Sequence, residues 1–154
     1  RIWMADFDNS KILMYSADFT HLTSWGELGM DPGELYQPVS IAVRDGNVVV
    51  SDAKAIALFS ESGAFRRNIA TVSEGDGFGS VALSSQDLVY AVSSPSVDSK
   101  VSIFSLDGVA RGDLVYETGL TPTDVTAGPG GVVFVLYVGY FDESSAKVVK
   151  FEVQ

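Results

Sequence analysis

Lys11-Ile12-Leu13-Met14-Tyr15-Ser16 returns as Ala55-Ile56-Ala57-Leu58-Phe59-Ser60, then as Lys100-Val101-Ser102-Ile103-Phe104-Ser105, and a fourth time as Lys147-Val148-Val149-Lys150-Phe151-Glu152. The aromatic residues Tyr15, Phe59, Phe104 and Phe151 stand 44, 45 and 47 residues apart. A repeat of about 40–50 residues built from short β-rich runs is the period of a four-stranded propeller blade. Each copy is preceded by another β-rich run: Ile2 to Asp6, Val48 to Asp52, Leu88 to Val92 and Val132 to Leu136. Three of these have a further short run ahead of them, Val39–Val43, Ser80–Leu83 and Thr123–Ala127.

The intervening residues are turn formers. Asp45-Gly46-Asn47, Ser85-Gln86-Asp87 and Gly128-Pro129-Gly130-Gly131 carry the Gly, Asn and Asp that tolerate positive φ in hairpins. Glu61-Ser62-Gly63 and Leu106-Asp107-Gly108 mark a second turn after the aromatic strand. No segment has helical periodicity, so the fold class is all-β. With the strands of a blade lettered A to D from the inside out, fourteen are predicted. Blade 1 has B, C and D (1–6, 11–16, 20–25). Blade 2 has all four (38–44, 47–52, 55–60, 65–71), as has blade 3 (79–84, 88–93, 100–105, 112–117). Blade 4 has A, B and C (122–127, 132–138, 146–153). The expectation is one partial propeller domain over 1–154 with about 3.5 blades, at 1–25, 38–71, 79–117 and 122–154. Near-continuous apolar runs such as Val48-Val49-Val50 and Val132-Val133-Phe134-Val135-Leu136 suit sheets stacked face to face.

Several stretches resemble the NHL-repeat β-propellers, a six-bladed type. Trp25-Gly26-Glu27-Leu28-Gly29, then Gly33-Glu34-Leu35-Tyr36-Gln37-Pro38-Val39-Ser40-Ile41-Ala42-Val43, is similar to that family's glycine-spaced loop, proline and inner strand. Gly46-Asn47-Val48-Val49-Val50-Ser51-Asp52 looks like its next strand, and Trp3-Met4-Ala5-Asp6-Phe7-Asp8-Asn9-Ser10-Lys11-Ile12 like its strand-turn-strand element. The likeness is strongest over 1–65. Further on, Val92 and Leu136 are read as standing where Asp6 and Asp52 stand, and Ser40 replaces a glycine. The resemblance implies a module that presents loops to a partner, with an extracellular or periplasmic setting slightly favoured over others.

Composition removes several classes of function. The 154 residues contain no cysteine, which excludes disulfides, thiolate metal sites and cysteine nucleophiles. Ten basic and twenty acidic residues leave a net charge of −10, which repels phosphate backbones and anionic membranes. Nucleic acid is not an expected partner. The longest apolar run, Gly131 to Phe141, is too short for a spanning helix, and no membrane insertion is expected.

Asp6 and Asp52 close strand B, with Lys11 and Lys54 at or just before strand C. They read as turn-closing pairs, Asp to Lys or Asp to backbone, in preference to a ring of ligand-binding carboxylates. Asp6, Lys11, Tyr15, Asp52, Phe59, Lys100, Phe104, Lys147 and Phe151 form the structural repeat. Asp6-Phe7-Asp8-Asn9-Ser10 has alternating oxygens, but Lys11 and Ala17 stand where an EF-hand needs glycine and glutamate. Gly75-Asp76-Gly77-Phe78-Gly79 lacks the lysine and helix of a phosphate loop. His21 is the only histidine and lies on an outer strand. Related propeller lyases carry a metal on several histidines, a set this chain lacks. No catalytic residue, metal site or cofactor is therefore predicted.

The loops joining B to C lengthen along the chain: Phe7–Ser10, Ala53-Lys54, Ser93–Ser99 and Gly139–Ala146. They share a face with the D-to-A loops. There Asp8 and Asn9, and Tyr140, Phe141, Asp142 and Glu143 beside Tyr137, are the candidate contacts. The expected function is a non-catalytic binding or assembly module for a protein or polymeric ligand. The alternative is part of a propeller enzyme, a metal-dependent hydrolase or lyase, whose ligands lie in other blades. Two full blades flanked by incomplete ones also imply completion, by a longer chain or by other copies.

Overall fold

The computed structural model describes residues 1–72, 77–93, 99–115, 120–139 and 146–153. Within them, fourteen strands pair into four antiparallel sheets. Blade 1 is β1 (Ile2–Asp6), β2 (Lys11–Tyr15) and β3 (His21–Trp25). Blade 2 is β4 (Ser40–Arg44), β5 (Asn47–Ser51), β6 (Ala55–Ser60) and β7 (Phe65–Thr71). Blade 3 is β8 (Phe78–Leu83), β9 (Leu88–Ser93), β10 (Val101–Ser105) and β11 (Ala110–Leu114). Blade 4 is β12 (Thr121–Ala127), β13 (Val132–Val138) and β14 (Ala146–Glu152). Every strand pairs with its neighbour in sequence, the meander of a propeller blade. One 3-10 turn, Pro129–Gly131, joins β12 to β13.

The repeated aromatics occupy one register. Tyr15 faces Ile2, Phe59 faces Val48, Phe104 faces Val89 and Phe151 faces Val133. Three residues back, Ile12, Ile56, Val101 and Val148 also superpose, opposite Ala5, Ser51, Val92 and Leu136. The turns repeat too. Ser16, Ser60 and Ser105 accept the N–H of Phe19, Gly63 and Gly108, each with φ between 63° and 90°. Asp45 and Gly46 both have positive φ, which matches the twist of a two-residue hairpin between β4 and β5. β11 begins at Ala110, earlier than expected, because a bulge at Ile103/Phe104 takes up the extra residue.

Blades stack through side chains that alternate along each strand, so each sheet has a backward and a forward face. Trp3, Ala5 and Ile12 of blade 1 meet Val48, Val50 and Phe59 of blade 2. Val49, Ile56 and Leu58 of blade 2 meet Val81, Val89 and Ala91 of blade 3. Tyr90, Val101 and Ile103 of blade 3 meet Val125, Val133 and Val135 of blade 4. This double-sided burial explains the continuous run Val48-Val49-Val50, whereas in Val132–Leu136 only Val133 and Val135 are buried and Phe134 is exposed. A second device ties the inner strands: Val81 N–H donates to Ser40 Oγ (3.2 Å) and Val125 N–H to Ser80 Oγ (3.3 Å). The two serines hold the same register, shared in blade 4 by Asp124.

Candidate binding face

Ser40 pairs with Ser51, Phe78 with Ser93 and Thr121 with Val138. Strand A therefore starts where strand B ends, and the B-to-C and D-to-A loops emerge at one end of the blades. The best-defined part of that end is the segment 26–39 between β3 and β4. Leu35 anchors it: the side chain is fully buried between blades 1 and 2. Its N–H donates to Glu27 O (2.8 Å), and its carbonyl accepts from Gly29 N–H (3.1 Å).

Two side chains from the blades hold the same segment. Ser10, itself buried, accepts Gln37 N–H on Oγ (3.3 Å). Asp52, 1% exposed, accepts Tyr36 N–H on Oδ2 (3.0 Å), and Lys54 N–H (2.9 Å) and Ala55 N–H (2.8 Å) on Oδ1. Asp52 is thus the acceptor at the centre of the B-to-C turn. Of the two partners expected for Asp52, backbone or lysine, it has the backbone, and Lys54 Nζ donates instead to the carbonyls of Gly29 (2.9 Å) and Asp31 (3.2 Å). A two-residue turn aims the lysine at the neighbouring loop and leaves backbone amides to fill the carboxylate. Asp6 likewise accepts from Asn9, through its backbone N–H (3.1 Å) and Nδ2 (3.0 and 2.9 Å). Asn9 is therefore a turn residue of its own loop, while Asp8 is exposed.

Measured from the aromatic pairs, Ser93 and Tyr137 hold the position of Asp6 and Asp52; Val92 and Leu136 lie one residue short of it. The sequence alignment followed strand ends, which hide a one-residue shift, whereas cross-strand pairing does not. Ser93 performs the same task on a smaller scale, with Oγ accepting Lys100 N–H (2.9 Å). Lys100 Nζ forms an ion pair with Asp113 Oδ2 (2.7 Å) in β11. Burial works against ionisation of Asp113, but hydrogen bonds from Lys100 and Ser102 and the lysine charge outweigh it and hold its carboxyl below the ordinary 3.8. Lys11 faces Asp6 and Lys147 faces Tyr137. Tyr137 is not a loop-face residue: it is 2% exposed, in the core between blades 3 and 4. Tyr140, Phe141, Asp142 and Glu143 lie outside the described residues, as do Gly75 and Asp76 of the glycine-rich loop. His21 sits on β3, edge-on to Tyr15 at 5.4 Å.

With its backbone fixed from below, the 26–39 segment turns other side chains outward. Leu28 (64% exposed), Met30 (66%), Tyr36 and Val39 are exposed, and Phe7 joins them from the adjacent loop. Among the described residues, these make up a large part of the exposed apolar side chains, and sequence patterning gave no sign of them. Glu27, Asp31 and Asp8 are exposed on the same loops. Among the described residues no group of three His, Asp or Glu side chains is placed to hold a metal ion. No helix among them is long and apolar enough to cross a membrane.

Four stacked meander sheets with their B-to-C and D-to-A loops gathered at one end define a β-propeller, and solved propellers share the architecture. Virginiamycin B lyase from Staphylococcus aureus is similar over 99% of this chain and 52% of its own (TM-score 0.67, 15% identity). A nidogen/laminin complex contains a chain similar over 97% of this one and 56% of its own (TM-score 0.70, 18% identity). U3-55K is similar over 95% and 47% (TM-score 0.64, 15% identity). The chain thus spans about half the length of the solved propellers it matches. No family model matches the sequence, and neither does any curated protein.

Proposed function

We propose that this chain is a non-catalytic binding or assembly module of the NHL-repeat kind, and that its B-to-C and D-to-A loop face takes a protein or polymeric ligand. The observation that carries the reading is the 26–39 segment. Its backbone is fixed by Leu35, Ser10 and Asp52, yet it holds Leu28, Met30 and Tyr36 in solvent. On a fixed backbone only the side-chain rotamers remain to be ordered on binding, so an outward apolar cluster of this kind suits an interaction surface. Acidic neighbours Asp8, Glu27 and Asp31 select a partner with basic groups around an apolar centre. Structural likeness to both a lyase and a nidogen chain is likeness of fold, and fold alone does not choose between catalysis and binding.

An array of immobilised peptides varied in apolar and basic content tests this. The protein should retain peptides that combine an aromatic or aliphatic anchor with Lys or Arg. Leu28→Asp and Met30→Asp should abolish retention, while Val109→Asp, at the opposite end of blade 3, should leave it intact. Retention that ignores the loop-face variants would refute the proposal.

A further inference from the structure

We infer that the cleft between the outer strand of blade 2 and the C-to-D turn of blade 3 binds a carboxylate that carries a small apolar body. The cleft measures about 310 Å³ and is lined by Asn47, Leu58, Arg66, Arg67, Leu106 and Asp107. It lies between the two middle blades, at the end away from the B-to-C loops, so the inference is independent of the loop-face reading. A bulge at Leu58/Phe59 of β6 sets two residues of β7 against one, and Arg66 is the extra residue. Both arginines thereby reach the cleft. Blades 1 and 3 carry the same bulge, but with Leu22 and Thr23, and with Arg111 and Gly112. Of the three blades with a described outer strand, blade 2 alone places two guanidiniums there.

The junction between blades 1 and 2 shows what a base at this place meets. Arg1, one residue before the partner of Tyr15, forms an ion pair with Glu61, two residues after Phe59. At the junction between blades 2 and 3, Asn47 and Leu106 hold those two positions. The acid is gone, and two arginines line the cleft with the apolar side chain that replaces it. Arg66 Nη1 donates to Asn47 Oδ1 (2.5 Å) and Nη2 to Gly46 O (3.5 Å), and Arg67 Nη1 donates to Asp107 O (3.3 Å). These acceptors are neutral, so they orient both guanidiniums and cancel neither charge. The Asp107 carboxylate accepts within its own turn, from the Ser105 hydroxyl. Among the described residues neither arginine is in an ion pair, in a chain with twice as many acids as bases. A carboxylate supplies the missing charge and accepts paired N–H bonds from a guanidinium fork. Leu58 and Leu106 offer apolar contact to the group that carries it.

Titration of the isotope-labelled protein with phenylpropanoate, followed by NMR, tests this. The Nε–H signals of Arg66 and Arg67 and the methyls of Leu58 and Leu106 should shift together and saturate. Arg66→Gln and Arg67→Gln should each weaken binding about tenfold. Leu106→Glu keeps both arginines, restores the acid of the preceding junction and should abolish binding. Lys150→Gln, which alters an ion pair in blade 4, should change nothing. Acetate should bind more weakly than phenylpropanoate, and the uncharged methyl ester not at all. Acetyl-glycyl-phenylalanine presents the same groups as a peptide end: tighter binding than phenylpropanoate assigns the site to peptide C-termini, weaker binding to free acids. The absence of a saturable shift would overturn the inference. So would shifts spread equally over Arg44 and Arg111, acetate or the ester binding as tightly as phenylpropanoate, or undiminished binding by Leu106→Glu.

Discussion

Replacing Asp52 by alanine removes one side chain and strands three donors. Tyr36 N–H, Lys54 N–H and Ala55 N–H all end on its carboxylate, which is 1% exposed. A buried donor left without its acceptor costs about 1–3 kcal/mol. Water can reach Lys54 N–H, since the Ala53–Lys54 turn is at the surface, so the full cost falls on Ala55 and part of it on Tyr36. Removing the buried charge returns some of its own desolvation penalty. The net loss should be about 2–3 kcal/mol, a fall of roughly 4–12 °C in Tm for a domain of this size. Asp52→Asn separates the contributions. Its oxygen can keep the Lys54 and Ala55 donors, but its NH2 then confronts Tyr36 N–H, so about half the loss should remain. Thermal unfolding gives the totals, and amide exchange should accelerate at Tyr36 in both variants but at Ala55 only in the alanine variant. An unchanged midpoint for Asp52→Ala, with exchange at Tyr36 unaltered, would refute the argument and return Asp52 to the candidates for ligand contact.

Phe19→Gly should raise stability by about 0.5–1 kcal/mol in denaturant titration, because Phe19 is 74% exposed at φ 63° where Gly63 and Gly108 serve the other blades. Gly63→Ala should lower it by about 1–3 kcal/mol in the same assay, since φ is 83° and an added Cβ would run into the Trp25 ring. Leu35→Ala should cost about 2–5 kcal/mol and, by freeing the 26–39 segment, increase its proteolysis before global unfolding. The depressed Asp113 carboxyl contributes stability that is complete above its ordinary 3.8 and lost as pH falls through its lower folded value. Acid titration followed by circular dichroism should show that part of the loss absent in Asp113→Asn.

Period, strand order and blade count were legible because successive blades stack through the same strand positions, and that demand leaves the same residue types at each return. Tyr15, Phe59, Phe104 and Phe151 could be superposed from sequence for this reason. Pairing details were not. Lys54 follows an aspartate in a two-residue turn, and only the path of the 26–39 segment shows that its ammonium reaches carbonyls in another loop. Tyr137 looked like a surface aromatic because it adjoins a polar loop, yet strand alternation points it into the core. The outward set Leu28, Met30 and Tyr36 has no periodicity to betray it. Its exposure follows from contacts that Leu35, Ser10 and Asp52 make across blades, which only the folded arrangement reveals.

The serine hydroxyls between inner strands bear on how the edges of those strands resist invasion. The innermost strand of a blade has one side with no strand beside it, and such a side normally invites a foreign strand to add by backbone pairing. Ser40 and Ser80 occupy the amides of Val81 and Val125 that would begin such pairing. An extended peptide approaching these edges would find the donors already taken and would have to displace a side chain from the blade behind for each pair formed. The inner edges can therefore stay open to solvent without becoming a template for strand addition, and a Ser40→Ala substitution would open one rung.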